Sequence, residues 1–200
     1  MICISMRRTA LYFILIFLLQ LSIGCSDTPV PRPRGYVRID FPQHNYVQFD
    51  SASFPYRFKH PSYSKVRIDN SRNAEPYWVN VDFDQYKARI HISYKDASGM
   101  LDYLMEDSRK LAFKHTYNAE SITERFFENP DENVYGILYS MKGNTASSWQ
   151  FYVTDSVRHF LRGALYFSVS PNKDSLAPSI EFFGEDLIVL MESVEWKNNN

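Results

Sequence analysis

The sequence predicts an α+β fold in which two amphipathic helices pack on an antiparallel β-sheet. Residues 54–59, 79–83 and 88–94 alternate apolar and polar side chains, as half-buried strands do. Two other segments, residues 98–116 and the segment that begins at Pro178, repeat their apolar residues at helical spacing. Because the helices separate groups of strands, the order favours an antiparallel sheet over alternating βαβ units.

The strand-like segments are expected to pair with their neighbours in the chain. A short polar break separates residues 79–83 from residues 88–94, which predicts an antiparallel hairpin. After the first helix, further strand patterns are separated by turn residues such as Pro130 and Gly143. These patterns cover residues 122–128, 134–142, 148–154 and 160–169.

Each predicted helix has a start signal and an apolar stripe. Ser98 is the expected N-cap of the first helix. Its stripe consists of Leu101, Leu104, Met105, Ser108, Leu111, Ala112 and His115. The second helix is expected to follow a loop at residues 171–175 and to begin at Pro178, because proline is tolerated at the first helical position. Its stripe consists of Ile180, Phe183, Leu187, Leu190, Met191 and Val194.

The N-terminus has the organisation of a secretory signal peptide. Arg7 and Arg8 precede an uncharged apolar run, residues 10–19, which is shorter than the ~20 residues that a membrane-spanning helix needs. The run leads into the sequence LSIGC at residues 21–25, which resembles the lipobox of bacterial lipoproteins. The resemblance implies cleavage before Cys25, a diacylglycerol on its sulfur and an acylated amine. The alternative is an uncleaved signal anchor with an incidental cysteine.

The chain is expected to contain a signal peptide, a tether and one domain. Residues 1–24 form the signal peptide, and residues 25–34 form a lipidated tether whose alternate prolines favour an extended chain. Residues 35–200 have an ordinary length for a single globular domain. The net charge of −1, with no basic patch, argues against nucleic-acid binding. Removal of the signal peptide would leave one cysteine, which excludes an internal disulfide.

No group of residues in the sequence predicts catalysis, a metal site or a cofactor. The five histidines lack metal-ligand spacing, and no phosphate-binding glycine loop is present. Asp82 and Asp84 would share one side of a strand, either as a glycosidase-like acid/base pair or, as we favour, on a solvated face. His91 is also expected on a solvated strand face. Glu185 and Asp186 are expected in the first turns of the second helix, where the helix dipole explains acidic residues.

Motifs that are spread over the chain resemble one protein family. In the first half they are PRGYVRI at 33–39, FPY at 54–56, YWVN at 77–80, HISY at 91–94 and EDSRKLA at 106–112. In the second half they are TDS at 154–156, HFLRG at 159–163, LYF at 165–167, PNKDSLAP at 171–178 and LMES at 190–193. Together they resemble the gliding-motility lipoprotein family GldD of Bacteroidetes. Relatives often have a cysteine where this chain has Tyr77. No role of a thiol at this position is therefore carried over to this chain.

The resemblance implies a non-enzymatic lipoprotein of the cell envelope that supports gliding motility and the associated type IX secretion system. Its implied partners are the membrane, through the lipid on Cys25, and other envelope proteins of these machineries. The periplasmic side of the outer membrane is the favoured location, with the inner membrane as the alternative. The order of elements also resembles the α/β/α sandwich of the photosystem II protein PsbP and its relatives.

An interaction surface, if present, is expected on loops, where recognition residues tend to lie. The candidate residues are Asp155, Arg158, His159, Arg162, Asn172 and Asp174. Alternatively, Asp155 and Arg158 only fix a turn, and Arg162 only faces water. Two other functions compete with this hypothesis: a periplasmic small-ligand-binding lipoprotein, and a lipid-anchored hydrolase that uses Asp82 and Asp84 or the segment 155–159.

Overall fold

The computed structural model describes residues 38–114 and 118–197, which belong to one compact unit with the predicted α+β architecture. The predicted signal peptide, the lipidation site at Cys25, the tether and His115 lie outside the described residues. The strands are β1 (Tyr46–Phe49), β2 (Tyr56–Pro61), β3 (Lys65–Ile68), β4 (Val79–Phe83), β5 (Ala88–Asp96), β6 (Ala119–Asn129), β7 (Val134–Gly143), β8 (Ser147–Thr154), β9 (His159–Phe167) and β10 (Glu195–Trp196). The helices are α1 (Leu101–Phe113) and α2 (Lys173–Glu192).

Seven of the strands form one antiparallel sheet in the order β3-β4-β5-β9-β8-β7-β6. The predicted hairpin is confirmed as β4 and β5, with Val79 opposite Ile92 and Phe83 opposite Ala88. A smaller antiparallel sheet has the order β1-β2-β10. The order of the larger sheet places β9 at its centre and β6 at one edge.

The two helices cover opposite faces of the larger sheet. Successive side chains of a strand point to opposite faces, and β8 shows this directly. Phe151 and Val153 belong to the core cluster that contains Leu187 of α2, whereas Tyr152 belongs to the cluster that contains Leu104 of α1. The domain is therefore an α/β/α sandwich. Because α1 has 13 residues and α2 has 20, α1 covers less of its face.

Both helices begin at positions other than those predicted. Ser98 is not the N-cap of α1, because its N–H and Oγ donate hydrogen bonds to the Asp96 carboxylate, at 3.0 and 2.6 Å, and the capping position falls on Met100. The second helix begins before Pro178, which lies inside α2. Asn172 caps α2 by accepting a hydrogen bond from the backbone N–H of Ser175 at 3.2 Å. No helix in the described ranges is long and apolar enough to cross a bilayer.

Replacing the capping residue should weaken the start of α2. Asn172→Ala is expected to lower the free energy of unfolding by about 1 kcal/mol, because the N–H of Ser175 loses its acceptor. Urea unfolding of the two proteins measures this difference. Asn172→Asp is the matched control, since aspartate caps helices as well as asparagine does. Equal losses in both variants would contradict the capping role.

Candidate functional site

The Asp155 carboxylate fixes the turn between β8 and β9. Its Oδ1 accepts hydrogen bonds from the backbone N–H groups of Val157, Arg158 and His159 at 2.8 to 3.0 Å. Ser156, inside this turn, has a left-handed φ of 66°. Burial opposes ionisation of Asp155, but the three backbone donors together lower its pKa. The turn-fixing alternative therefore accounts for Asp155, and a recognition role for this residue stays a prediction.

His159 and Arg162 lie on opposite faces of β9. The His159 ring stacks on Trp196, with centroids 5.1 Å apart, and its Nδ1 lies 2.8 Å from the Tyr94 hydroxyl. Burial lowers the pKa of His159. Arg162 instead donates a hydrogen bond to the Gln150 side chain at 2.6 Å on the α1 side of the sheet. The structure does not bring these two candidates together.

The remaining candidates lie in two places. Arg158, in the turn after β8, donates to the Asp96 carboxylate at 3.2 Å. Asn172 is the N-cap of α2, and Asp174 lies exposed in the first turn of that helix. Asp174 lines an open cleft of about 360 Å³ together with Trp149. The six predicted residues thus form no single site: Asp155, Arg158 and His159 lie at the β8–β9 turn, Arg162 lies within β9, and Asn172 and Asp174 lie at the start of α2.

An apolar groove lies beside the β8–β9 turn, between α1 and the hairpin of β6 and β7. Leu101 and Met105 line it from the helix, and Phe126, Ile137 and Tyr152 line it from the strands. Its volume is about 220 Å³ and it is open to solvent. The groove exists because the short α1 leaves the outer strands of this face uncovered.

Two exposed apolar side chains either line this groove or follow one of its lining residues in the chain. Phe126 is 75% exposed and Val157 is 74% exposed. Ser156 lines the groove and joins it to the turn that Asp155 fixes. Single exposed apolar residues are common, but an apolar groove with large exposed neighbours is typical of an interaction site. We call the groove residues above, together with Ser156 and Val157, the Phe126 surface.

The prediction that Asp82 lies on a solvated face is wrong. The Asp82 side chain is buried and accepts hydrogen bonds from Arg67 and Arg89, each at 2.5 Å. Arg67 also bonds to Asp84 and, with Lys65, holds the pKa of Asp84 well below its usual range. The acid of a catalytic acid/base pair needs a raised pKa, and that of Asp84 is lowered. The contacts therefore favour an ion-pair network over a catalytic role for Asp82 and Asp84.

His91 is also less exposed than predicted. Its ring is half-buried, with Nδ1 2.7 Å from the Asn80 side-chain oxygen and 3.6 Å from Asp69. The neighbouring Trp78 donates its indole N–H to the backbone oxygen of Tyr94 at 2.9 Å.

Among residues 38–114 and 118–197, no three histidine, cysteine, aspartate or glutamate side chains converge as metal ligands would.

The helix-dipole explanation of Glu185 and Asp186 is wrong, because α2 begins well before them. Asp186 is fully buried and accepts hydrogen bonds from the hydroxyls of Tyr63 at 2.6 Å and Tyr46 at 3.0 Å. His44 lies between the two carboxylates, with Nδ1 2.8 Å from Asp186 and Nε2 3.2 Å from Glu185. This polar cluster joins β1 and the segment before it to α2. No local pattern could have revealed it, since its members are far apart in sequence.

These observations define an α/β/α domain in which the buried carboxylates of Asp82 and Asp186 are paired and an apolar groove is open to solvent. The profile of the family described as "Gliding motility lipoprotein GldD" matches residues 26–196. The chain therefore belongs to this family of gliding-motility lipoproteins, as its motifs predicted. Membership of a lipoprotein family places the protein at a membrane of the cell envelope.

The chain is also similar in fold to a solved structure. The solution structure of cyanobacterial PsbP (CyanoP) from Synechocystis sp. PCC 6803 superposes with a TM-score of 0.46 and 9% sequence identity. The match covers 87% of this chain and 98% of that protein. No curated protein sequence matches this chain.

Proposed function

We propose that this GldD-family chain is a non-enzymatic lipoprotein that supports gliding motility and the associated type IX secretion machinery through protein–protein contacts. The observation that carries the proposal is the Phe126 surface. It offers a partner an apolar groove and a large exposed ring, and burial of such a ring is a strong contribution to an interface.

A lipid on Cys25 would hold this domain at the membrane. Each buried CH₂ of an acyl chain contributes ~0.8 kcal/mol, so that two or more chains make the attachment stable. The family match begins at residue 26, directly after the proposed lipidated cysteine. An extended tether of residues 25–34 then adds ~3 Å per residue between the membrane and the domain. The periplasmic side of the outer membrane is the location that we propose.

The contacts of the acidic side chains support binding over catalysis. Asp82 is held by two arginines, Asp155 by three backbone N–H groups, and Asp186 by two tyrosines and a histidine. Each of these carboxylates thus accepts hydrogen bonds from other groups of the protein. A structural role therefore accounts for all three. The cleft next to Trp149 favours one alternative, a small-ligand-binding lipoprotein, because its volume of about 360 Å³ is at the lower end for ligand pockets.

Affinity capture from native envelopes tests the proposed function. The tagged full-length protein is crosslinked in its own cells, beside a Cys25→Ala variant. We expect gliding or type IX secretion proteins to be enriched with the unchanged protein and several-fold less with Cys25→Ala, which also leaves the membrane fraction. If neither protein enriches a component of these machineries, the interaction proposal is wrong, and ligand screening of the Trp149 cleft follows.

A further inference from the structure

The strand β6 forms a free edge of the larger sheet. It is 11 residues long and pairs with β7 on one side. Among the described residues, no strand pairs with its other side. In an antiparallel ladder, the N–H and C=O groups of every second residue of an edge strand point away from the sheet. Strand β6 therefore offers a row of unused backbone donors and acceptors.

The side chains of β6 give this edge a charge pattern. Ile122, Glu124, Phe126 and Glu128 alternate with their neighbours and share the face that α1 covers in part. The exposed Phe126 ring thus stands between two carboxylates. The nearest cation to Glu124 is Arg109, at 3.8 Å. Glu128 lines the groove and has no ion-pair partner in the described part of the chain.

This pattern disfavours a second copy of the same chain. Two β6 strands that pair antiparallel with the same face outward can centre on residue 123, 124, 125 or 126 near the middle of the strand. The last three of these registers place Glu124 opposite Glu124, Arg125 opposite Arg125, or Glu124 opposite Glu128, whereas the register centred on residue 123 places Glu124 opposite Ile122. Like charges that are directly opposite destabilise a strand pair, so three of these four registers are unfavourable for a second copy.

We propose that the free edge of β6 binds an extended segment of a partner protein as an added strand. The segment has the pattern basic-x-apolar-x-basic: its apolar side chain packs on Phe126, and its basic side chains lie opposite Glu124 and Glu128. Backbone hydrogen bonds supply affinity, and the side chains of one face supply specificity. This inference rests on the proposed function, because it names the chemistry of the partner at the Phe126 surface.

Two synthetic peptides test the proposal on the full-length protein in detergent. The first has the sequence TKTVTKT and the second TETVTET, each with a fluorescent label for anisotropy titration. We expect the lysine peptide to bind about tenfold more tightly than the glutamate peptide. The preference should disappear in a Glu124→Gln/Glu128→Gln double variant, and Phe126→Ser should weaken the lysine peptide. Circular dichroism confirms that the variants fold.

N-methylated peptides test whether binding uses the backbone. Only alternate amides of an added strand face β6. Methylation of one alternate set in TKTVTKT should abolish binding, and methylation of the other set should leave it unchanged. The proposal is overturned if neither peptide binds, if both bind equally, or if neither methylated set matters. If the peptides fail but envelope capture still enriches secretion proteins, the proposed function stands and only the role of the β6 edge is wrong. The two proposals can therefore fail separately.

Discussion

Gly136→Ala is expected to lower the free energy of unfolding by about 3 kcal/mol. A Cβ at this position would lie 2.0 Å from the backbone oxygen of Tyr152 on the neighbouring strand β8. Gly136 is paired opposite Val153, so the backbone cannot move away without breaking the β7–β8 ladder. Urea unfolding measures the loss.

Gly99 is the matched control for this substitution. It has a left-handed φ of 74°, and no atom lies within 4 Å of a Cβ added there. Gly99→Ala should therefore cost about 1 kcal/mol, from backbone strain alone. A cost for Gly136→Ala no larger than that of Gly99→Ala would contradict the close approach of β7 and β8.

The second large effect is expected at the buried carboxylate of α2. Asp186→Ala should lower the free energy of unfolding by about 2 to 3 kcal/mol, because Tyr46, Tyr63 and His44 all lose an acceptor. Asp186→Asn is the matched control, since it keeps the shape and one acceptor oxygen, and it should cost less. Thermal unfolding at one pH separates the two variants. Equal costs would mean that shape, and not hydrogen bonding, determines the role of this residue.

Asp186 also gives a pH dependence with a defined sign. Burial raises its pKa, although Tyr63, His44 and Tyr46 act in the opposite direction. The folded state therefore holds this proton more tightly than the unfolded state does. Its contribution to stability is present below the ordinary carboxyl pKa of about 4 and is lost as the pH rises through the raised value.

The Asp186→Asn variant isolates this contribution. Stability curves of both proteins are measured from acid to neutral pH, and their difference removes titrating groups that do not contact Asp186, such as His91. We expect the unchanged protein to lose stability relative to Asp186→Asn as the pH rises. A difference that stays constant over this range would contradict the raised pKa.

The sequence patterns predicted the elements whose residues lie close together in the chain. The β4–β5 hairpin follows from alternation in two adjacent segments, and the α1 stripe follows from helical spacing. Strands β1, β3 and β10 were missed, because they have 4, 4 and 2 residues and too few alternations to register as strands. The omission of β3 also contributes to the error at Asp82, since Arg67 of that strand supplies one of its two ion pairs.

The groove at Phe126 could not be predicted from the pattern of β6 alone, because residues of α1, β7 and β8 also form it. The alternation of β6 indicates that Phe126 belongs to one face, but not that α1 is too short to cover it. The cluster at Asp186 joins residues more than one hundred positions apart, such as His44. By contrast, the turn role of Asp155 was one of two alternatives in the sequence, because Asp155 lies just ahead of the N–H groups that it binds.

Envelope capture with an altered Phe126 tests the central claim most directly. Phe126→Ser removes the exposed ring from the Phe126 surface. Tyr103→Ser is the matched control, because Tyr103 is a 65% exposed aromatic residue of α1 that does not line the groove. We predict that Phe126→Ser loses the captured gliding or secretion proteins and that Tyr103→Ser retains them, at equal protein levels. Retention by Phe126→Ser, or equal loss in both variants, would contradict the account.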